Sequence, residues 1–510
     1  MPAPGETLLI EGALVYDPAA GGHEAVAADI AIERGRIAAV HRLADGTRHR
    51  AGWAGRRLDA RGKLATPGFV NAHYHSHDVL LKGFFDPEPL EAWVLNALPR
   101  TYPPRSREEI RLRTLLGAVE CIRSGITTVQ DMVTLFPLDA DRVDAVVGAY
   151  EAAGLRAVIG LQAANVSPLD TVPYWRETIP AEAQPGLLGP APDLRGVPEP
   201  LGLVESEFRA RRDRHPRIRW ALAPSSPERC SRDMLERFGD LARRLELPVV
   251  SHIYITKAEA VGARLRFPEF GGSLVALLKA TGLLGPRTAL AHGVWLSPAE
   301  IEDVAAAGAS VVLNHMSNLK TKNGVAPIRR LLGAGINLAL GCDNCSCSDC
   351  QNMFQAMKMF VLLAAVSDPR AGPPDSVDAL GAATRGGAAA LGLAGELGRI
   401  APGMKADLAL FDLADPAYVP LNSPARQLVY AECGRGVDTV VIDGAVVMEN
   451  RVIKTVDEAA LRAEIADIMP AFRADAAAVI ARNRALARHF AEADARAWAH
   501  DLGFSRYLAA

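Results

Sequence analysis

The sequence lacks an uninterrupted apolar run of the roughly 20 residues needed to cross a bilayer. Residues 1–6 also lack the basic start and apolar core of a secretory signal. The net charge is -3 and no stretch is densely basic, so charge gives no support for nucleic-acid binding. The seven cysteines do not resemble the framework of a small disulfide-rich domain. These absences predict a cytoplasmic protein that binds neither nucleic acid nor membranes.

The composition that remains is ordinary for a globular protein. The chain has 510 residues, of which 49% are hydrophobic and 23% charged, so it can bury a large core. A chain of this length forms two to four domains, or one large barrel with an accessory domain.

The middle of the chain alternates short apolar runs with helical stretches such as 232–245 and 297–307. This alternation is typical of an α/β protein with a parallel sheet. Eight such units over roughly 280 residues predict a (β/α)8 TIM barrel, in which chemistry lies at the C-terminal ends of the strands. The eight runs are 69–72, 126–129, 156–161, 218–223, 248–251, 288–291, 310–313 and 336–341.

Both flanks of this region contain short β segments separated by glycine-rich or polar turns. They predict a small β-sandwich domain built from both ends of the chain. The predicted division is 1–66 for the first part of the sandwich, 67–396 for the barrel, 397–453 for the second part of the sandwich and 454–510 for an alanine-rich C-terminal helical segment. We expect the helical segment to pack on the barrel or on a second subunit.

One long excursion, 166–216, follows the third run and carries eight prolines between residues 168 and 200. A loop of this length in a compact domain is usually a lid, a binding loop or a passive insertion. Its place after the third strand would put it on the active face of the barrel.

Histidines and aspartates end most of the apolar runs. His73 and His75 lie two residues apart at the end of the first run, so an extended strand would point both imidazoles to one side. The chain has only 12 histidines, and packed histidines have no reason to favour one rim of a barrel. The set therefore predicts a metal-centred site, against the alternative of coincidental packing. The residues that end the runs are His73, His75, Asp131, His252, His292, His315 and Asp343.

Several motifs resemble those of the amidohydrolase superfamily. The branch concerned holds deaminases of adenosine derivatives such as adenosylhomocysteine, cytosine and guanine deaminases, and triazine hydrolases. His315 stands where this family commonly has proline, and Cys342 where threonine is usual. The resemblance spans roughly residues 7–453, and its motifs are 67–75, 124–128, 291–296, 317–320 with Gly324 and Pro327, 340–343, 352–358 and 397–408.

The resemblance implies one divalent metal ion held by the four ligands His73, His75, His252 and Asp343. Three neutral imidazoles and a carboxylate suit zinc, with ferrous iron as the alternative. Asp343 would also take a proton from the attacking water, and His292 would polarise the developing oxyanion or orient the water. The substrate-contact candidates are His315, for which a structural role is equally open, and Asn318.

The chain departs from related deaminases at two positions. Ile255 stands three residues after His252, where those enzymes have a glutamate that shuttles a proton, and Ser225 stands where adenosine-type deaminases have a histidine. An isoleucine side chain cannot transfer protons. These departures argue against ordinary purine-nucleoside deamination and favour an amide, urea, amidine or substituted triazine.

Four cysteines, Cys342, Cys345, Cys347 and Cys350, surround Asp343. They are open to three interpretations: small side chains that line the pocket, a separate thiolate metal site, or a redox-sensitive thiol. Because the cluster straddles a predicted metal ligand, the sequence favours the first.

Together these features predict a metal-dependent hydrolase of non-peptide carbon–nitrogen bonds. It would act like an aminohydrolase on a small nitrogen-containing substrate and form a homodimer or larger homo-oligomer. The alternatives are hydrolytic dehalogenation of a heteroaromatic ring, as in triazine hydrolases, and a non-catalytic barrel that serves as a scaffold.

Overall fold

A computed structural model of the chain describes residues 7–182, 184, 199–367 and 372–507. The strands in these residues form two nine-stranded sheets. They are β1 Leu8–Val15, β2 Val26–Glu33, β3 Arg36–Arg42, β4 Arg56–Asp59, β5 Lys63–Pro67, β6 Phe69–His75, β7 Ile126–Val133, β8 Arg156–Ala163, β9 Ile218–Pro224, β10 Val249–Ile253, β11 Thr288–His292, β12 Ser310–Leu313, β13 Leu338–Leu340, β14 Asp343–Asn344, β15 Leu408–Asp412, β16 Val437–Ile442, β17 Ala445–Glu449 and β18 Val452–Ile453.

Helices follow most strands of the middle region, and their ends carry standard caps. Ser297 and Glu300 form a capping box at the start of one helix, and Gly154 ends another in the left-handed conformation. The α-helices are Leu90–Ala97, Arg107–Arg123, Ala140–Ala153, Trp175–Thr178, Pro200–Arg211, Arg232–Leu245, Lys257–Arg266, Leu274–Ala280, Pro298–Ala306, His315–Lys320, Ile328–Gly333, Cys345–Ser348, Met353–Ser367, Ser376–Gly381, Gly387–Ala390, Pro424–Tyr430, Glu458–Asn483 and Ala487–Trp498.

The middle region forms a curled parallel sheet in which strands β6 to β13 pair in chain order. Two residues separate β13 from the short strand β14, which pairs in parallel with β6. The last strand of this sheet therefore lies next to its first strand. This arrangement fits a TIM-like barrel. The eight predicted runs coincide with β6 to β13, because each is an apolar run buried between the barrel interior and a helix.

The two ends of the chain meet in the second sheet, whose strand order is β18-β17-β16-β15-β5-β1-β2-β3, with β4 on β1. Antiparallel pairing of β5 with β15 joins the N-terminal strands to the C-terminal ones. The prediction that both ends build one small β unit agrees with this pairing. Hydrogen bonding connects all nine strands into one sheet, so a two-layer sandwich stays a prediction.

A buried ion-pair network ties the barrel to the small sheet. Arg156, at the start of β8, is 1% exposed and donates from Nε and Nη2 to the two carboxylate oxygens of Asp407, both at 2.9 Å. Its Nη2 also donates to Asp443 at 3.3 Å, and Lys405 donates to the same Asp443 oxygen at 3.0 Å. The charges of this junction are therefore paired within the protein.

The excursion after β8 packs on the C-terminal segment. Trp175 and Ile179 share an apolar cluster with Phe490 and Ala493 of helix Ala487–Trp498. Of the predicted lid, residue 183 and residues 185–198 lie outside the described residues. Among the residues that the structure does describe, no helix has both the length and the apolar composition needed to cross a membrane.

Candidate metal centre at the mouth of the barrel

Three histidine side chains from two strands meet at the C-terminal end of the barrel. His73 and His75 end β6 and His252 lies in β10, and all three are buried. One ring nitrogen from each lies within 4.8 Å of the others. The two Nε2 atoms of His75 and His252 are 3.2 Å apart. The structure thus brings these three predicted ligands together.

Asp343 joins this group from β14. Its Oδ1 lies 3.4 Å from Nε2 of His73 and 3.5 Å from Nε2 of His75. Two ligand atoms at about 2.0–2.1 Å from one tetrahedral metal lie about 3.3 Å from each other. The observed separations of 3.2–3.5 Å therefore suit a shared metal ion.

Hydrogen bonds on the far side of two rings decide which nitrogen faces the centre. Nδ1 of His75 donates to the backbone oxygen of Met132 at 2.8 Å, and Nδ1 of His252 donates to that of Ser225 at 2.5 Å. Each neutral ring then carries a lone pair on Nε2. Two lone pairs at 3.2 Å repel each other unless a cation lies between them.

Two polar atoms of the cluster have no protein partner although they are buried. They are Nε2 of His73 and Oδ1 of Asp343. Buried polar atoms in native structures are normally hydrogen-bonded, so orphans at the centre of a ligand set fit a bound ion. The residues present thus fit one divalent metal.

The protonation states also suit metal binding. Burial lowers the pKa of His75 to about 3 and holds that of His252 well below its ordinary value. Burial alone would raise the pKa of Asp343, but the neighbouring imidazoles of His73 and His292 outweigh it, and its pKa lies well below the ordinary value. His75 and His252 therefore offer neutral imidazoles and Asp343 an ionised carboxylate, which are the forms that bind metal.

His292 lies at the end of β11 and faces the other oxygen of Asp343. With His73 and Asp343 it forms a second group of potential ligands, whose ligand atoms lie within 4.8 Å of one another. Its Nε2 is 3.7 Å from Asp343 Oδ2, and its Nδ1 donates to Oδ1 of Asn318 at 2.8 Å. Its backbone has a φ of 75°, a left-handed conformation that non-glycine residues adopt at some cost. Asn318 thus fixes the orientation of His292, and its role as a substrate contact stays a prediction.

A polar clamp holds the turn that carries Asp343, whose φ is 61°. Oδ1 of Asn71 accepts from the backbone N–H of Cys342 at 2.9 Å, and Nδ2 of Asn71 donates to Gln351 at 2.8 Å. Gln351 in turn donates to the backbone oxygen of Asp343 at 2.9 Å. The sequence analysis missed this clamp, although a polar Asn71 two residues before His73 in a buried apolar strand was a visible signal.

Two further candidates, Asp131 and His315, lie outside the ligand groups, as does the neighbouring His77. Asp131 accepts hydrogen bonds from the Ser76 N–H and the Tyr150 hydroxyl, on the helix side of the barrel wall. His315 is buried at the start of helix His315–Lys320, with its ring 6.1 Å from that of Phe360. The ring of His77 lies edge-on to that of His75, with the ring centroids 5.3 Å apart, and joins neither group of potential ligands.

The two departures from the deaminase pattern lie next to the centre. Ile255 is 4% exposed, and its backbone N–H donates to Glu259 Oε2 at 2.6 Å. The Ser225 hydroxyl accepts from Nε2 of Gln162 at 2.7 Å. The Glu259 carboxylate is thus occupied by the backbone N–H groups of Tyr254 and Ile255. It does not take the place of the glutamate that related deaminases have at position 255.

The cysteine cluster does not form a metal site in the described part of the chain. All four cysteines are free thiols, and the groups that could hold a metal contain only histidine and aspartate. Burial raises the pKa of Cys342, Cys345 and Cys347 well above the ordinary value, so these thiols stay protonated. They act as small buried side chains beneath the Asp343 turn.

The sequence matches the model of the amidohydrolase family over residues 64–447. It is 34% identical to the 5-methylthioadenosine/S-adenosylhomocysteine deaminase of Syntrophobacter fumaroxidans over 458 residues, or 89% of this chain and 95% of that protein.

Two solved structures are also similar. A zinc-bound adenosine deaminase from Xanthomonas campestris has a TM-score of 0.78 and 29% identity, and the match covers 92% of this chain and 98% of that one. A zinc complex of the atrazine chlorohydrolase from Arthrobacter aurescens has a TM-score of 0.74 and 24% identity, with 91% and 100% covered. The second likeness concerns the fold alone. These matches confirm the resemblance predicted from the motifs.

Proposed function

The chain belongs to the amidohydrolase family and is a metal-dependent hydrolase of carbon–nitrogen bonds. From this premise we propose that it is an aminohydrolase of an amino-substituted nitrogen heterocycle. Water would add to the ring carbon, the carbon–nitrogen bond would break, and the amino group would leave as ammonia with one proton from the water, while the other stays on the oxo product. The observation that carries this proposal is the convergence of His73, His75, His252 and Asp343 with orphaned, buried ligand atoms.

In this proposal His73, His75, His252 and Asp343 hold one divalent ion, with zinc preferred and iron as the alternative. When bound, the ion supplies a water whose pKa is lowered towards neutrality. The zinc-bound relative from Xanthomonas campestris supports the choice of zinc.

The chain's own residues would handle the protons and the substrate oxygen. Asp343 is ionised and its two oxygens lie between His73 and His292, so it would accept the proton of the attacking water. His292, held by Asn318, would orient the oxygen that becomes negative during attack. His315 stays a proposed substrate contact.

A second candidate function is hydrolytic removal of halide from a heteroaromatic ring. The observation that favours it is the pair Ile255 and Ser225, which offers no strong proton donor where deaminases place one. A halide leaves without needing a proton, whereas an amino group needs one.

A release assay tests both functions. Purified, zinc-loaded protein would be screened against adenosine derivatives, aminotriazines, chlorotriazines, amides and ureas, with ammonia, amine and chloride measured separately. We expect ammonia or amine. Chloride release without ammonia would select the second candidate, and no release of any kind with a full equivalent of zinc would favour a non-catalytic scaffold.

The proposal includes the remaining sequence predictions. These are a cytoplasmic location, a small-molecule substrate, a homodimer or larger homo-oligomer, and the division of the chain at residues 66, 396 and 453.

A further inference from the structure

A pocket of about 400 Å³ lies at the same end of the barrel as the metal centre, and the reaction described above does not use it. Parts of the chain that are distant in sequence contribute to its wall: a helix after β6, the loops after β10 and β12, and the C-terminal segment. The wall includes Glu91, Thr256, Asn323, Asp494, Trp498 and Tyr507.

The pocket is connected to the metal centre through two loops. Thr256 follows His252 by four residues along the chain. The backbone N–H of Asn323 donates to the backbone oxygen of Asn318 at 2.8 Å, and Asn318 holds His292. None of the metal-centre residues lines the pocket, so the group that lies there would be remote from the reacting carbon, on a substrate that extends along these two loops.

Hydrogen-bond acceptors dominate one side of the pocket. Glu91 is 8% exposed, and its Oε1 accepts from the Thr256 hydroxyl at 2.7 Å, while the partly buried Asp494 adds a second carboxylate. Asn323 is 1% exposed, and its Oδ1 has no hydrogen-bond partner. Its other polar groups are used, since Nδ2 donates to Thr321 and the backbone oxygen accepts from Trp295. A buried orphan acceptor that lines the same pocket as two carboxylates favours a ligand that donates hydrogen bonds.

Aromatic rings form another side. The ring of Trp498 lies 4.9 Å from that of Tyr507 and 5.8 Å from that of Trp295. The Lys257 ammonium lies 4.9 Å from the Trp498 ring and donates to the Trp498 backbone oxygen at 2.7 Å. Lys257 is thus a lining residue whose cation is held against this aromatic wall, and the exposed Lys322 is the second lysine of the lining.

We propose that this pocket binds a flat, cationic, N–H-rich group of the substrate, such as an amidinium, a guanidinium or a protonated aminoheterocycle. Glu91, Asp494 and the Asn323 Oδ1 would accept its hydrogen bonds, and Trp498 and Tyr507 would cover its apolar surface. This inference rests on the proposed function and narrows its substrate class. It also assigns part of the active site to the C-terminal segment, which lies beyond the residues matched by the family model.

The pocket should bind such a group more tightly as the pH rises. Burial and the neighbouring Asp494 raise the pKa of Glu91 to about 7, so a proton occupies the carboxyl at lower pH and competes with the cation. The charged or titratable groups around Glu91 are Asp494 on helix Ala487–Trp498, Glu228 and Arg229 after β9, Lys257 and Glu259 after β10, the exposed Lys322 after β12, and Tyr507.

The test uses benzamidine as the probe and the full-length, zinc-loaded protein, with binding measured by calorimetry at pH 6 and pH 8. We expect benzamidine to bind better at pH 8 and better than neutral benzamide. Glu91→Gln and Asp494→Asn should each weaken it about ten- to hundredfold, since each removes a charge-assisted hydrogen bond. Glu492→Gln is the matched control, because Glu492 lies on the same helix but pairs with Arg496 outside the pocket. Asp494 is partly exposed, so its variant keeps the test available should Glu91→Gln fold poorly.

Equal affinity of the wild type and both pocket variants, or equal binding of benzamide, would overturn the proposal. Repeating the titration after chelation separates this proposal from the function itself, since the pocket contains no predicted metal ligand. Benzamidine binding by zinc-loaded protein that turns over no substrate in the release assay would refute the aminohydrolase and keep the pocket. Ammonia release with a KM that Glu91→Gln and Asp494→Asn leave unchanged would refute the pocket and keep the enzyme.

Discussion

The metal centre and the Arg156 network are both clusters of buried charged and polar groups, but they differ in how completely those groups are paired. Arg156, Asp407, Asp443 and Lys405 bond to one another at 2.9–3.3 Å. At the metal centre, Nε2 of His73 and Oδ1 of Asp343 have no hydrogen-bond partner, and two imidazole lone pairs face each other.

This difference separates a structural cluster from a functional one. A paired buried network stabilises the junction at which it lies, and breaking it leaves an uncompensated charge. An unpaired buried cluster destabilises the ligand-free protein, and it becomes favourable only when a ligand binds to it. Mutations at the metal centre should therefore change turnover, whereas mutations in the Arg156 network should change the free energy of unfolding.

The largest effect is expected at the metal centre. His73→Ala or Asp343→Asn should abolish turnover, because each removes a ligand from a four-residue set, while the fold is kept. Turnover, zinc content and circular dichroism measure these three quantities. Full activity in a zinc-free His73→Ala protein would refute the ligand assignment.

The opposite pattern is expected for the Arg156 network. Arg156→Leu should lower the free energy of unfolding by about 3–5 kcal/mol, because it leaves the buried Asp407 without its guanidinium partner, while Asp443 keeps Lys405. The folded variant should keep its zinc and its activity. The control is Arg56→Leu, since Arg56 pairs with Glu449 at 2.9 Å on the surface, where such a pair contributes about 0–1 kcal/mol. Equal losses in urea unfolding for the two variants would erase the contrast.

A smaller effect is expected where a residue only positions the centre. Asn318→Ala should lower kcat/KM about ten- to hundredfold by freeing the His292 ring, as outer-shell partners typically do. Asn318→Asp keeps an acceptor for Nδ1 and should recover much of the activity. Zinc content should stay at one equivalent in both, and its loss in Asn318→Ala would make His292 a ligand instead.

The smallest effect is expected at the position where the chain departs from related deaminases. Ile255→Glu should change the preference among amino-, amide- and halide-bearing substrates by about tenfold, as a new carboxyl recovers part of general acid catalysis. Ile255→Gln, which has a similar shape but no titration, is the control. An unchanged substrate profile in Ile255→Glu would mean that residue 255 does not face the reacting ring.

Sequence reasoning found the five side chains that meet at the centre because strand order is encoded in chain order. Apolar runs alternating with helices predict parallel strands, and the C-terminal ends of such strands share one rim. His73, His75, His252, His292 and Asp343 end their runs and therefore meet. Asp131 and His315 also end runs, yet Asp131 points to the helix layer and His315 packs near Phe360. Which side of the wall a terminal residue faces depends on local pleating and on turns that run position does not specify.

The order of the strands and the residue types at their ends were therefore determined by sequence alone, since both follow from local periodicity. Only the tertiary structure decided which nitrogen of each imidazole faces the centre, because the backbone oxygens of Met132 and Ser225 carry no sequence signal. It also decided that Glu91 and Asp494, some 400 residues apart in the chain, line one pocket. Such contacts arise from the packing of the C-terminal helix on the barrel mouth, and no local pattern encodes that packing.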